Sequence, residues 1–565
     1  MRRLNLLLSI LLIGLASFLA LRKLNYPLIG IDDANIYFVY GRNLANGHGF
    51  VYNIGGERVE GFTSLLWTLI VALVYKVSSQ PELTLLLVNI IVVSFGIAVA
   101  LDYLQTVALG RENRRVRLLW SAVFLLVIFT SPRYIVWNTI TLMENGLWSS
   151  LLLITAVYVV RDHPSHRSVN YGFIPLLILL LLTRPESMLW VIVFIIILYL
   201  PMAFKEGFGT ALKTILPSIL SAGLTLLSLI LFRMAYFGYP FPNTYYAKVS
   251  RSLSINLENG AIYLIRYLLS DPIAAIIVIV VLAGCLSTLL NIFMRKMPRN
   301  EPFFLPIIAG TGLLIPVLTG GDHFGSFRFY QNIYPISLLC LILTAHQILH
   351  QITQLIRFPQ VRQVNHAFFS VSLLFLFAFG YYLTQSNAWK KFSSEIYGEF
   401  RIAEDERKIG EFILAFFSSL PKLPSIGVGA SGGIKYSYPG EIIDLLGLNN
   451  TIMAHNNGQR DGYKNHAAFE VETFYQLEPD IVLPQVVEQT WKYDEAENKK
   501  LWTNNFIYRG LFDEPRFLEL YSYARVDKKT QFQNGKALVA WFKKDFLYIL
   551  RSDAEFIVQE YKYSP

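Results

Sequence analysis

Charge is what this sequence has least of. Of its 565 residues, 16% are Asp, Glu, Lys or Arg, whereas 54% are hydrophobic. A soluble domain rarely combines so little charge with so much apolar surface. Cysteine is scarcer still: Cys285 and Cys340 are the only two, each inside an apolar run. They read as small core hydrophobes, not as a disulfide or a metal site. Neither C-x-x-C nor H-E-x-x-H occurs, so the common zinc signatures are missing. Internal repeats and low-complexity segments are also missing. The net charge of +9 does not point to nucleic acid. Lys and Arg gather in short loops between apolar runs, which is how a chain with many spans orients itself.

What the sequence has instead is apolar blocks long enough to cross a bilayer core, which takes about 20 residues each. Arg2 and Arg3 followed by "LNLLLSILLIGLASFLA" resemble a secretory signal. With so many apolar blocks to follow, a signal anchor with a cytoplasmic N-terminus is the expectation. The piece 62–77, "FTSLLWTLIVALVYKV", is short for a span. If it crossed, the four arginines of "GRENRRVR" (110–117) would face outward, against the positive-inside rule. It therefore reads as a juxtamembrane helix. The expected spans are then 5–22, 83–109, 118–132, 147–160, 171–183, 188–204, 214–236, 271–293, 302–319, 329–349 and 367–385, about eleven in all.

From residue 386 the long apolar runs stop. The pattern "PSIGVGASGGIKYSYPGEIIDLLGL" reads as strand, glycine turn, helix and short strand. "LEPDIVLPQ" and "KALVAWFKK" read as further strands. The chain thus divides into a membrane domain, 1–385, and an extracytoplasmic α/β domain, 386–565. Gly427, Gly429 and Gly432 satisfy G-x-G-x-x-G after a strand. That dinucleotide fingerprint is set aside, because the topology puts it outside the cytoplasm and Pro439 interrupts the helix that should follow. A tight turn between strand and helix is the expectation.

Under this topology the unusual polar groups beside the bilayer all fall on the outer face. They are Asp32 and Asp33 in the first loop, Glu144 in "TLMENGLW", Arg184 in "TRPES", Asn243, Tyr246 and Lys248 in "YFGYPFPNTYYAK", and Asp322, His323 and Arg328 in "GGDHFGSFRF". An intramembrane or juxtamembrane charge is costly unless function or water holds it. Each group also has a simpler task open to it. Asp32 or Asp33 could cap the helix "DANIYFVYGRNLA", with Gly47 as its stop. Arg184 and Lys248 could anchor at the interface. Arg328 and Asp322 could form a structural ion pair. Taken as a site, they suit one chemistry. A carboxylate can accept the proton of a hydroxyl nucleophile. Inverting displacement needs one such base opposite the leaving group. Arginine suits a phosphate leaving group, because its planar fork binds phosphate oxygens in pairs.

The stretches "DDANIYFVYGRNLANGHGFVYNIGGERVEGFTSLLW", "TLMENGLW", "LTRPES", "YFGYPFPNTYYAK", "GGDHFGSFRFYQNIYP" and "EIIDLLGL" run in order along nearly the whole chain. In them the sequence resembles the GT-C-type polyprenyl-phosphate-dependent glycosyltransferases. Within that group it is most similar to the mycobacterial terminal β-1,2-arabinofuranosyltransferases and their bacterial relatives. The resemblance implies a multi-pass enzyme of the bacterial cytoplasmic membrane, working in cell-envelope biogenesis. It also implies catalysis by Asp32, with Asp33 as helper. The substrates implied are a polyprenyl-phosphate sugar donor and a glycan or glycolipid acceptor, which the C-terminal domain helps to bind. The sequence departs from the family after "DLLGL", where "GQRDGYKNHAAF" replaces a turn containing Gly-His.

Donor phosphate binding is expected from Arg328, Lys248, Arg184 and His323, and substrate binding from Glu144, Asn243, Tyr246 and Asp322. No cofactor is expected and no metal ligand set is assigned, since no ligand spacing for a divalent cation is visible, although Asp32, Asp33 and Glu144 leave that alternative open. Two other functions compete. A transporter or flippase for lipid-linked sugars would call for broken spans and polar groups at the midplane. A non-catalytic glycan-assembly protein would have no use for Asp32.

Overall fold

The computed structural model describes residues 2–25, 27–161, 171–250, 252–270, 272–294, 301–355, 395–458, 460, 468–483, 507–529 and 537–561. The expected span 367–385 and the domain boundary at 385 lie outside them. The chain is mostly helical. Among the described residues five helices are long and apolar enough to cross a membrane: Arg2–Leu24, Pro81–Ala108, Ser187–Glu206, Phe208–Phe237 and Pro272–Phe293. Two bent pairs, Arg114–Phe129 with Pro132–Ile140 and Gly325–Gln331 with Tyr334–Gln351, bring the number to seven if each is one span. Asn145–Arg161, Phe173–Thr183 and Leu305–Leu318 are shorter apolar helices at positions where spans were expected. Leu65–Val77 is the separate 13-residue helix expected over 62–77.

The chain forms two compact units, each drawn from three stretches. One contains Met1–Tyr26, Leu83–Leu229 and Ser252–Tyr397; the other contains Pro27–Glu82, Ile230–Arg251 and Gly398–Pro565. The first, here the helical unit, is knit by hydrogen bonds that an apolar interior makes valuable. Asn5 donates to Gln105, and Ser17 pairs with Thr139. Gly146 opens the helix Asn145–Arg161 so tightly against the π-helical turn Val136–Ile140 that a Cβ there would fall 2.2 Å from the Asn138 carbonyl oxygen. Helix Leu253–Leu268, which the sequence reading left within an outward loop, packs on Leu305–Leu318. A Cβ on its Gly260 would fall 2.3 Å from the Val317 carbonyl oxygen.

The second, here the mixed unit, joins the first polar loop to the C-terminal region. Its helix Asp32–Ala45 lies against Leu65–Val77, where Gly41 leaves no room for a Cβ beside Val71. Gly47, at φ +85°, ends the first of these helices. His48 N–H reaches the Asn43 carbonyl and Gly47 N–H that of Leu44, the paired bonds of a glycine-terminated helix. The C-terminal region carries a six-stranded mixed sheet. Its strands are β1 (Ile426–Val428), β2 (Ile442–Asp444), β3 (Ile481–Leu483), β4 (Tyr521–Lys528), β5 (Ala537–Lys543) and β6 (Phe556–Glu560). The order is β2-β1-β3-β5-β4-β6, with β1 parallel to β2 and β3 and the other pairings antiparallel. β4 and β6 are additional to the strands expected. The core beside the sheet is aromatic, with Phe474, Tyr508, Phe512, Phe517, Tyr521 and Trp541 buried together.

Candidate functional site

The expected site residues fall into two clusters, one in each unit. In the helical unit, Glu144 follows the π-helical turn, and Asn89 ties that turn by donating to the Thr139 and Met143 carbonyls. Arg184 follows the helix Phe173–Thr183, and Asp322, His323 and Arg328 come from the turn after Leu305–Leu318. Arg184 pairs with Glu144 and Glu186. Arg328 Nε donates to Asp322 Oδ2 at 2.8 Å. The His323 backbone N–H donates to the other Asp322 oxygen at 3.0 Å. The two guanidiniums share one ring: Arg184 Cζ lies 5.5 Å and Arg328 Cζ 5.2 Å from the centroid of Phe329. Phe324 and Trp137 also face Arg328, at 4.4 and 5.8 Å.

The backbone here is unusual. Leu142, two residues before Glu144, has φ +59°, while Ser326 and Phe327, just before Arg328, have φ +60° and +56°. A non-glycine residue held in the left-handed region costs of order 1 kcal/mol or more. No sequence signal announces it, since neither Leu nor Phe favours that conformation. Electrostatically the cluster is balanced by acids: three carboxylates face two guanidiniums. Glu144 is buried, and no donor reaches its Oε2. A phosphate arriving here would compete with Asp322 and Glu144 for arginine N–H groups.

In the mixed unit, Asp32 opens its helix but does not cap it. The N-cap residue is Ile31, and no side-chain cap bond forms. Asp32 Oδ1 instead accepts the N–H of Gly433, 2.7 Å away and 401 residues along the chain. Asp33 is half-buried beside it. The glycines after β1 belong to this contact. A Cβ on Gly432 would lie 2.1 Å from the Asp32 carbonyl oxygen. One on Gly433 would lie 2.7 Å from both the Ala403 carbonyl oxygen and Glu406 Cβ. The turn expected there is present, and the close approach of Asp32 and Glu406 is its physical reason. The doubled glycine was the one signal that could have led from the sequence to Glu406.

Lys248 is half-buried at the end of helix Asn243–Lys248, and no carboxylate among the described residues pairs with it. Asn243 has a packing task. Its amide donates to the Gly447, Leu448 and Asn450 carbonyls at 2.7, 3.0 and 3.2 Å, clamping the turn after β2. Asp444 orders the same turn, accepting from Leu446 N, Asn449 N, Asn449 Nδ2 and Ser431 Oγ. Even with those four donors, burial pushes its carboxyl up to about 6. The Tyr246 ring lies 4.1 Å from that of His455, which stacks on Tyr239 at 3.8 Å. Such flat aromatic faces suit sugar rings as well as an interfacial aromatic belt. Among the described residues, no group of three or more His, Cys, Asp or Glu side chains could hold a metal ion.

No family model matches the chain, and no curated protein does either. Solved structures do. The oligosaccharyltransferase AglB of Archaeoglobus fulgidus, in complex with an inhibitory peptide and a dolichol-phosphate, superposes with TM-score 0.50 at 12% identity. The match covers 94% of this chain and 74% of that one. An oligosaccharyltransferase of Archaeoglobus fulgidus in the apo form gives 0.49 at 10% identity, over 95% and 74%. ArnT of Cupriavidus metallidurans bound to undecaprenyl phosphate gives 0.42 at 12% identity, over 95% and 97%. At such identities a likeness speaks for the fold alone: the chain shares the helical membrane-protein fold of these structures, with several apolar helices and a small C-terminal sheet.

Proposed function

We propose that this chain is an inverting glycosyltransferase of the bacterial cytoplasmic membrane. It moves a sugar from a polyprenyl-phosphate donor to a hydroxyl of an extracytoplasmic glycan or glycolipid. The observation that carries the reading is the likeness over 94% of the chain to an oligosaccharyltransferase solved with a dolichol-phosphate. The two guanidiniums about Phe329 support it from within the chain, as groups of the type that bind a lipid-linked phosphate.

In the proposed reaction Asp32 accepts the proton of the acceptor hydroxyl, with Asp33 orienting that group. The new bond forms between the hydroxyl oxygen and the anomeric carbon. The bond from that carbon to the phosphate oxygen breaks, and polyprenyl phosphate leaves with the electron pair. Arg328, Lys248, Arg184 and His323 stabilise its charge, while Glu144, Tyr246 and Asp322 line the substrates and Asn243 serves only to hold the turn after β2. The sugar is a pentose or hexose, with arabinofuranose first on the sequence resemblance. The reaction needs no metal: chelation by EDTA leaves the rate unchanged, and a loss restored by one divalent ion overturns this point.

The deciding experiment uses the purified protein in nanodiscs with polyprenyl-phosphate sugars and an oligosaccharide acceptor. Polyprenyl phosphate is released only when acceptor is present, and the acceptor gains one sugar. Transfer of intact donor between leaflets without cleavage makes the protein a flippase. Absence of both reactions across a panel of pentose and hexose donors removes the enzymatic reading.

A further inference from the structure

Glu406 has no part in the site read from the sequence, yet it is the group most closely joined to Asp32. It lies on the helical stretch 395–416 and is fully buried, at 0% exposure, while Asp32 is 9% exposed. The N–H of Gly433 is shared between them: it lies 2.7 Å from Asp32 Oδ1 and 3.0 Å from Glu406 Oε2. One hydrogen serving two carboxyl oxygens brings those oxygens side by side. Among the described residues no hydrogen bond is made to Glu406 Oε1 and Glu406 makes no ion pair, although the backbone N–H of Ile434, like that of Gly433, acts on its carboxyl.

The cations nearby are engaged elsewhere. Arg42 donates to the Tyr436 carbonyl and covers the Tyr436 ring. Arg407 donates to Asn35 and Glu82 and lies over the same ring, its Cζ 3.7 Å from the centroid. Lys435 donates to the Pro439 and Gly440 carbonyls. On Glu406's own helix, Asp405 pairs with Arg401 and Glu404 with Lys408. Two adjacent carboxylates without a cation cannot both stay ionised in a buried site. Burial and the neighbouring Asp32 push the Glu406 carboxyl well above the usual carboxylate range.

We propose that Glu406 is a neutral hydrogen-bond donor to Asp32, a positioning residue that fixes the direction in which Asp32 presents its carboxylate. Gly433 completes the arrangement with the backbone N–H, so Asp32 is held by one amide and one carboxylic acid. A base held in this way needs no reorientation when the hydroxyl arrives. The positioning role rests on the reading of Asp32 as general base; the acid–carboxylate contact does not.

Two readouts separate them. Glu406→Gln keeps a neutral donor of nearly the same shape, so it folds and turns over within about threefold of wild type. Glu406→Leu fills the space without a donor, and kcat falls between about tenfold and a hundredfold with KM unchanged. Infrared difference spectra of wild type against Glu406→Gln show the carbonyl stretch of a protonated carboxylic acid at neutral pH. If Glu406→Gln loses as much rate as Asp32→Asn, or the acid band is absent, Glu406 is ionised and the proposal fails. If the band is present but Asp32→Asn turns over normally, the base reading falls while the contact stands. Should Glu406→Gln not fold, Asp32→Asn carries the spectral test. Removing the adjacent charge shifts the acid band, and an unshifted band overturns the contact.

Discussion

At the scale of single residues, Asp32 and Asp33 are chemically alike and differently held. Asp32 is tied to Gly433 and Glu406, while Asp33 is the more exposed of the two. An Asn at position 32 keeps an oxygen for Gly433 N–H and cannot take up a proton at neutral pH. Asp32→Asn is therefore expected to fold normally and lose at least about a hundredfold in rate, with Asp33→Asn losing far less. The reverse ranking in a kinetic assay would make Asp33 the base. Arg328 gives a second test. Lysine can match its charge but not its fork, and it cannot hold Asp322 while also serving a phosphate. Donor affinity, measured by competition with free polyprenyl phosphate, is expected to drop about tenfold or more in Arg328→Lys and further in Arg328→Ala. Intact affinity in Arg328→Ala reduces this residue to the partner of Asp322. The residue types were legible in the sequence because few polar groups lie beside so much apolar chain. The Arg328–Asp322 pair, six residues apart, was legible as well; the pairings between distant segments were not. That Arg184 is held by Glu144 and Glu186, or Asp32 by Glu406, depends on folding distant segments together, and local pattern carries no record of it.

At the scale of elements, sequence reading succeeds where the cause is local. Gly47 ends its helix because glycine tolerates φ +85°. "IGV" and "IVL" make strands because short apolar runs between turns do so. It fails where the cause is remote. Helix Leu253–Leu268 takes its place from packing of Gly260 and Tyr263 on other segments, and its apolar residues are too few for a span. The Gly432–Gly433 pair looks like an ordinary turn until Asp32 and Glu406 are set against it. Gly433→Ala is expected to lower stability by about 1–3 kcal/mol, because the added methyl meets backbone and Glu406 at 2.7 Å. An unchanged melting temperature would show that the contact gives way freely. The turn after β2 has its own signature in pH. Asp444 titrates at about 6 when folded and about 3.9 when unfolded. A raised carboxyl pKa means that the folded state binds the extra proton. Its contribution to stability is full below about pH 4 and is lost as pH rises through 6. Wild type is thus expected to lose stability relative to Asp444→Asn between pH 4 and 7, by on the order of 3 kcal/mol. Parallel stability curves for the two proteins would exclude the titration. Asp444→Asn itself is less stable at pH 7, because all four contacts of Asp444 are donors and an amide nitrogen can accept none of them.

At the scale of the whole molecule, the fold was legible as a class because hydropathy reports where a bilayer must lie. The number of spans was less so, since bent pairs and short apolar helices blur what counts as one crossing. The charge pattern has a structural counterpart in the helical unit. Arg2 and Arg161 both pair with Asp102, and Arg117 donates to the Gln105 carbonyl one turn away. The N-terminus and two loops that the positive-inside rule assigns to one side are thus gathered at one end of the unit. The chain's grouping of 27–82 with 398–565 in a single unit likewise joins segments that the same rule assigns together to the other side. Which side is the cytoplasm is open to direct test. In a background with Cys285 and Cys340 replaced by alanine, single cysteines at Arg111 and Glu441 report on the two sides, since both positions are exposed. A membrane-impermeant maleimide added to intact cells is expected to label position 441 and to reach 111 only after permeabilisation. Labelling of 111 from outside with 441 protected would invert the topology. It would also move the proposed transfer reaction to the cytoplasmic face, where a polyprenyl-phosphate donor would have to be presented from the other leaflet.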